Sequence, residues 1–444
     1  MFTLTEIVSA LNATLNGTDV QFTSCSTDTR QLRPQAIYIA LVGENFDGHN
    51  FIQQAQAKGA VAAIVSKNVK TDLPTLRVHD TRLALGDLAY LWRQQFDLPI
   101  IAITGSNGKT TTKEMLKAIF SQHHPVLATK GNLNNDIGVP LTLFGLNGEH
   151  RYAIIEMGAN HMGEIAALTE ITKPTCAIIT QCAPAHLEGF GSIEGVAKAK
   201  GEIFSNLPSD GIAIINTDDK YAKLWHDLAT SHQIKTYGLT NQADVTAKNI
   251  ILQNASSNFT LQTPIGDIEI ELPLPGQHNI MNALAASSGA LANNCTLQTI
   301  QQGLKSMLPV MGRLQIIKSK ITLINDTYNA NPTSLKAALQ VLSNNSAPHW
   351  LALGDMGELG TDSIKFHQQA GQLAKEFGVE KLWTIGDISQ HATTSFGEGS
   401  QHFTNHTDLV QSILTQLPSS ATLLIKGSRA MQMEKIVQAL EEGF

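Results

Sequence analysis

Short, wholly apolar runs recur along this chain, and most are followed by a stretch whose apolar residues return every three or four positions. The first pattern predicts strands buried on both faces; the second predicts helices that cover them. Residues 36–41 and 60–65 predict strands, with a helix over 49–58 between them. Residues 81–96, carrying Leu83, Leu85, Leu88, Leu91 and Trp92, predict an amphipathic connecting helix that Leu98-Pro99 terminates. A strand over 100–103 breaks into a glycine-bracketed turn, and Met115, Leu116, Ile119 and Phe120 then recur at helical spacing. Further strands over 153–155, 177–180 and 211–215 each run into a polar loop. Between 244 and 272 the character changes: the turn Pro264-Ile265-Gly266-Asp267 and the alternation Ile268-Glu269-Ile270-Glu271-Leu272 predict short antiparallel strands. Gly276-Gln277-His278-Asn279 opens a helix of small residues. Beyond residue 312, strands over 321–324, 350–353, 382–385 and 422–425 alternate with helices from Ser334, near Phe366 and from Ala430.

This alternation places the chain in the α/β class and predicts three domains. Residues 1–82 form a small N-terminal α/β domain. Residues 83–312, led by a linker helix over 83–98, form a P-loop NTPase-like parallel sheet with added antiparallel strands. Residues 313–444 form a Rossmann-like doubly wound domain. No tandem repeat or low-complexity tract interrupts the pattern.

Composition narrows the function. A formal charge of −7 over 444 residues, with no basic run, argues against general nucleic-acid binding, so anionic ligands need local sites. The cysteines Cys25, Cys176, Cys182 and Cys295 show no C-x-x-C spacing and read as reduced thiols of a cytoplasmic protein. The first residues lack the basic start and apolar core of a signal peptide, and no apolar run has the length of a membrane span.

The chemistry centres on Thr104-Gly105-Ser106-Asn107-Gly108-Lys109-Thr110-Thr111. Strand, glycine turn and helix are what a phosphate loop requires, because backbone amides can then approach an anion at a helix N-terminus. In that reading Lys109 reaches the β- and γ-phosphates and the Thr110 hydroxyl ligates Mg²⁺. The bland alternative is a glycine-rich turn with a chance lysine. Ligands of open parallel sheets sit beyond the carboxyl ends of the strands, which puts Glu156 and His186 at the same edge as ligands for a metal. Each taken alone is an ordinary loop residue. Likewise Asp28-Thr29-Arg30 reads most economically as a polar turn, and Lys200 as a surface lysine on a helix.

Several segments together resemble the Mur ligases, ATP-dependent amide-forming enzymes of bacterial peptidoglycan assembly. They are the 104–111 loop, Asn132-Leu133-Asn134-Asn135-Asp136-Ile137-Gly138, Glu156-Met157-Gly158, His186, Gly276-Gln277-His278-Asn279 through Asn282, and Gly312-Arg313. Asn325-Asp326-Thr327-Tyr328-Asn329-Ala330-Asn331-Pro332, Leu353-Gly354-Asp355-Met356-Gly357-Glu358-Leu359-Gly360 and Lys426-Gly427-Ser428-Arg429 resemble the branch that takes D-alanyl-D-alanine as its amine. The sister that adds lysine or diaminopimelate shares an Asp-[Ser/Thr]-Arg near the N-terminus but carries a His-containing segment where this chain has Tyr328 to Pro332.

The resemblance implies ATP-dependent joining of D-alanyl-D-alanine to the terminal carboxylate of a UDP-N-acetylmuramoyl-tripeptide through an acyl phosphate. It assigns ATP to Gly105, Ser106, Asn107, Gly108, Lys109, Thr110 and Thr111, with Asn279 and Asn282 near the adenine, Arg313 at the γ-phosphate and Asp326 at the ribose. It implies two Mg²⁺ ions, held by Thr110, Glu156 and His186, and a carbamylated Lys200 beside them. Lys109, His186 and Lys200 are the expected catalytic residues. The uridine nucleotide falls to Asp28, Thr29 and Arg30, which makes the N-terminal unit a uridine-binding domain. The remaining substrate contacts fall to Asn134, Asn135, Tyr328, Asn329, Asn331, Lys426 and Arg429, with Arg429 gripping the dipeptide carboxylate. The partners expected are these small molecules alone, with no nucleic acid and no membrane, for a monomeric chain. Two rivals stay open: another amide ligase of the superfamily (the sister enzyme or a folylpolyglutamate synthase, against which the first 80 residues speak), and a non-enzymatic nucleotide switch.

Overall fold

The computed structural model describes residues 2–318 and 320–443. The N-terminal strands lie in the order Thr14–Asn16, Thr75–Arg77, Ala62–Val65, Ala36–Ile39 and Ser24–Ser26, parallel except for the first pair. Alternate residues serve opposite faces. Ile37, Ile39, Ile64 and Leu76 pack with Leu85 and Leu88 of the helix Thr81–Arg93. Tyr38, Ala63 and Val65 pack with Ile52 and Ala55 on the other side.

The central sheet is six-stranded, ordered Gln233–Tyr237, Ile212–Asn216, Cys176–Ile179, Ile100–Thr104, Tyr152–Glu156, Val126–Ala128, and parallel throughout. Ile101 and Ile103 face Met115, Leu116 and Ile119 of the helix Lys109–Phe120. Ile100 and Ala102 face Val139, Leu143 and Leu168 on the opposite side. Burying one such isoleucine or leucine contributes about 1.5–3 kcal/mol, which is why unbroken apolar runs here form strands covered on both faces. From Ile100–Thr104 the chain fills strands to one side, then crosses to the other for Cys176–Ile179. The loop after Thr104 therefore lies at the switch point, where open α/β sheets form their ligand crevice.

The antiparallel strands Thr246–Leu252, Ser257–Thr263 and Gly266–Leu272 form a separate three-stranded sheet. Phe259, Leu261, Ile270 and Leu272 join it to the central core. The third large sheet runs Gln315–Lys318, Thr322–Asp326, Thr422–Lys426, His349–Gly354, Val379–Ile385, Ser400–Phe403, with only the first pair antiparallel. The helix expected from Ala430 starts later. Arg429–Met431 is a single 3₁₀ turn, Gln432 takes a left-handed φ of 50°, and the α-helix is Glu434–Gly443. No described helix is long and apolar enough to cross a membrane.

Candidate active site

The loop after Thr104 is shaped by what packs against it. Gly105 has φ +146°, and a Cβ there would lie 1.9 Å from Thr180 Oγ1; Gly108 has φ +84°, and a Cβ there would lie 2.3 Å from Asn282 Oδ1. Only glycine fits either position. The loop is strapped to the neighbouring strand end: Thr180 donates to the Asn107 carbonyl at 2.6 Å, and Ser106 N donates to the Gln181 carbonyl at 2.8 Å. Gly108 then opens the helix Lys109–Phe120 with no side-chain cap, leaving its first amides free for an anion.

Charge gathers at this helix start. Lys109 folds back to donate to the Gly105 carbonyl at 2.5 Å. Burial lowers its pKa, the nearby Glu156 opposes that, and Arg313 adds to it. The Thr110 hydroxyl donates to Glu156 Oε2 at 2.9 Å and accepts from Arg313 Nη2 at 2.9 Å. Glu156, only 2% exposed, also accepts from Asn134 Nδ2 at 2.9 Å, while its amide donates to Thr129 Oγ1. Arg313 lies 4.1 Å over the Tyr328 ring, and its Nε is buried with no hydrogen-bond partner among the described residues.

Lys200 is not the surface residue that its sequence surroundings suggest. It is 1% exposed, lies 5.5 Å from the Phe190 ring, and has its pKa pulled down to about 7, chiefly by burial and next by the Lys109 charge. A substantial fraction of its amine is then neutral near pH 7.

The C-terminal unit reaches the central one at several places. Asn331 Nδ2 donates to Asn107 Oδ1 at 2.7 Å, and Asn331 Oδ1 caps the helix Pro332–Ser343. The imidazole of His186 lies against the Glu358 carboxylate, which approaches off the ring N–H axis so that Nδ1 lacks an aligned hydrogen bond. Both residues have left-handed backbones, at φ 53° and 60°. Behind them Lys426, 1% exposed, donates to Asp326 Oδ2 at 2.5 Å and to the Asn329 carbonyl at 2.9 Å.

Most of these groups border one cleft of about 1610 Å³. Asp80, Arg82 and Tyr90 line it from the helix Thr81–Arg93 and its cap. Ser106, Asn107, Gly108, Lys109, Thr111, Asn134, Asn135, Glu156, His186, Lys200, Asn279 and Asn282 line its middle. Arg313, Asp326, Tyr328, Asn329 and Lys426 line its far wall. Sequence reasoning missed the near wall, although Asp80 carried a signal as the N-cap of that helix. It also passed over His278, which lines the cleft with burial lowering its pKa to about 4.

Other expected residues stand elsewhere. Arg429 does not line the cleft: its side chain, 65% exposed, pairs with Glu434 at 2.9 Å. Asn331 serves as helix cap and partner of Asn107 and does not line the cleft. Asn135 lines it, but its Oδ1 already accepts from the Ile137 and Gly138 amides. Thr110 lies just behind the wall. Asp28, Thr29 and Arg30 lie outside the cleft: Arg30 pairs with Asp28 at 2.8 Å, and Thr29 donates to Gln54 Oε1. Close by, an exposed aromatic stack of Phe46 on Phe51 has its ring centroids 5.3 Å apart.

The chain matches three family models: Mur ligase family, catalytic domain, over 21–93; Mur ligase middle domain, over 103–290; and Mur ligase, glutamate ligase domain, over 312–429. It is 46% identical to the UDP-N-acetylmuramoyl-tripeptide--D-alanyl-D-alanine ligase of Escherichia coli, covering 99% of this chain and 98% of that one. A crystal structure of MurF from Acinetobacter baumannii superposes with a TM-score of 0.93 at 39% identity, covering 99% of both chains. MurF ligase from Thermotoga maritima in complex with ADP superposes with a TM-score of 0.84 at 23% identity, covering 95% of this chain and 97% of that one, a likeness of fold.

Proposed function

This chain belongs to the Mur ligase family, and on that premise we propose that it joins D-alanyl-D-alanine to the terminal carboxylate of UDP-N-acetylmuramoyl-tripeptide, consuming ATP and releasing ADP and phosphate. One observation carries the reading most directly. Lys109, Thr110 and Glu156 of the phosphate loop and its neighbouring strand end meet Arg313 from the far side of the cleft. Amide formation needs an activated carboxylate, and an arrangement with two cations at a helix N-terminus suits transfer of a phosphoryl group to it.

The carboxylate oxygen attacks the γ-phosphorus, ADP leaves, and the dipeptide amine then displaces phosphate from the acyl carbon. Lys109 gives up its hold on the Gly105 carbonyl and turns to the phosphate oxygens, while Arg313 follows the γ-phosphoryl group from the opposite side. Asn279, Asn282 and Asp326 border the nucleoside. The residues fit Mg²⁺: a buried carboxylate beside a threonine hydroxyl is the sparse oxygen set that this ion takes when phosphates supply other ligands. Thr110 and Glu156 would hold one such ion and His186 a second; when bound they would neutralise phosphate charge and polarise the acyl carbonyl. The low-pKa Lys200 suits carbamate formation with CO₂, which turns a repelling cation into an anion beside the metal site.

Asp28, Thr29 and Arg30 take the uridine nucleotide in the N-terminal domain. Tyr328, Asn329 and Lys426 remain to receive the dipeptide. We take the chain to divide near residues 82 and 312 and to act as a cytoplasmic monomer. The test is phosphate release from ATP with a panel of acceptors and amines. Release should require UDP-N-acetylmuramoyl-tripeptide together with D-alanyl-D-alanine. Activity with lysine or diaminopimelate on the dipeptide acceptor alone would assign the sister reaction, and hydrolysis without either substrate would assign a switch.

A further inference from the structure

Residues 355–360 hold a carboxylate against the central unit, and their attachment is rigid. Asp355 accepts hydrogen bonds from the amides of Asp387, Ile388 and Ser389, and its carbonyl accepts from Ser428 N at 2.9 Å. His367 Nδ1 donates to the Ser363 carbonyl at 2.7 Å, which leaves Nε2 to accept from Met356 N at 3.0 Å. Carried on this base, the Glu358 carbonyl accepts from Leu187 N at 2.9 Å, and its carboxylate lies against His186 Nδ1, off the ring N–H axis. A side chain at Gly360 would meet Glu188 Cγ at 3.8 Å, so the two segments run close beyond this contact as well. Left-handed φ values at His186 and Glu358, both non-glycine, cost free energy that the surrounding contacts must offset.

We propose that Glu358 is a positioning residue for His186: on closure the C-terminal unit delivers a carboxylate to Nδ1, fixing the imidazole's tautomer and ring direction so that the Nε2 lone pair would be available to a metal. Metal-binding histidines commonly lean on a carboxylate through the second ring nitrogen, which fixes tautomer and ring direction. Here that carboxylate comes from the C-terminal unit. A competent metal site and a closed molecule then become the same state. The inference rests on the reading of His186 as a metal ligand.

The test uses the full chain with a non-hydrolysable ATP analogue and Mn²⁺, whose binding is followed by electron paramagnetic resonance. Glu358→Ala should weaken Mn²⁺ binding about 10-fold. It should also raise the Mg²⁺ concentration for half-maximal turnover, with the KM for the uridine substrate unchanged. Glu358→Gln, which keeps the shape, should fall between Ala and the parent. His186→Ala is measured alongside. If His186→Ala weakens Mn²⁺ binding while both Glu358 variants bind it normally, this inference alone is overturned. If His186→Ala also binds normally, the metal-ligand reading falls and takes the inference with it.

Discussion

Asn331 donates a hydrogen bond to Asn107 across 224 positions of sequence, so a helix cap of the C-terminal unit touches the middle of the phosphate loop. The same carboxamide serves both purposes: its oxygen caps the helix Pro332–Ser343 through Ser334 N, and its nitrogen reaches the loop.

The two roles separate by mutation. Asn331→Ala should lose about 1 kcal/mol of stability with the cap, while Asn107→Ala should not. Each should lower kcat/KM for ATP about 5-fold, for a neutral hydrogen bond of about 1 kcal/mol. In a double-mutant cycle the second substitution should cost almost nothing further. Fully additive losses would mean that the pair does not act as a unit.

Lys109→Ala should lower kcat by a factor on the order of 10³ with the thermal melt nearly unchanged, because the cation matters most when charge moves between phosphate oxygens. Near-normal turnover in that variant would remove the phosphate loop from the mechanism.

For Lys200 the sign of the pH effect follows from its environment. Burial and the Lys109 charge hold the pKa at about 7, so the neutral amine, the form that attacks CO₂, is the major form above that pH and is lost as pH falls below it. Turnover should therefore depend on dissolved CO₂ more steeply at pH 6 than at pH 8. A ¹³C carbamate resonance should appear with labelled bicarbonate and vanish in Lys200→Ala, whose activity formate or acetate should partly restore. An intact resonance in that variant would assign the carbamate to another amine.

The Lys426–Asp326 pair, almost wholly buried, is a stability prediction. Lys426→Met leaves a buried carboxylate without its cation and should cost about 3–5 kcal/mol by chemical denaturation. Adding Asp326→Asn should recover much of the loss. A single variant as stable as the parent would show that water reaches the carboxylate.

What was legible in the sequence was local. The Ile100–Thr104 strand, its glycine turn and the Lys109–Phe120 helix are contiguous, so period and turn chemistry suffice to read them. Lys200 was not legible, because Lys198 and Lys200 alternate with alanines in one helix. Lys198 pairs with Glu194 in solvent, while Lys200, two positions on and on another face of the helix, is buried beside Phe190. Arg429 was ambiguous for the opposite reason: a glycine turn beside a cation suggests an anion site, while in the structure Glu434, five residues on, holds the guanidinium. Short edge strands such as Ser400–Phe403 carry too many polar residues to show a period.

The crossings at Asn107–Asn331, Thr110–Arg313 and His186–Glu358 all fall on residues that border the nucleotide site or are read as metal ligands. If these contacts close over bound nucleotide, exchange of nucleotide should need them apart and chemistry should need them together. A small molecule wedged between Asn107 and Asn331 would arrest the enzyme ajar, resembling none of its substrates, and surplus uridine substrate or dipeptide would not relieve the block.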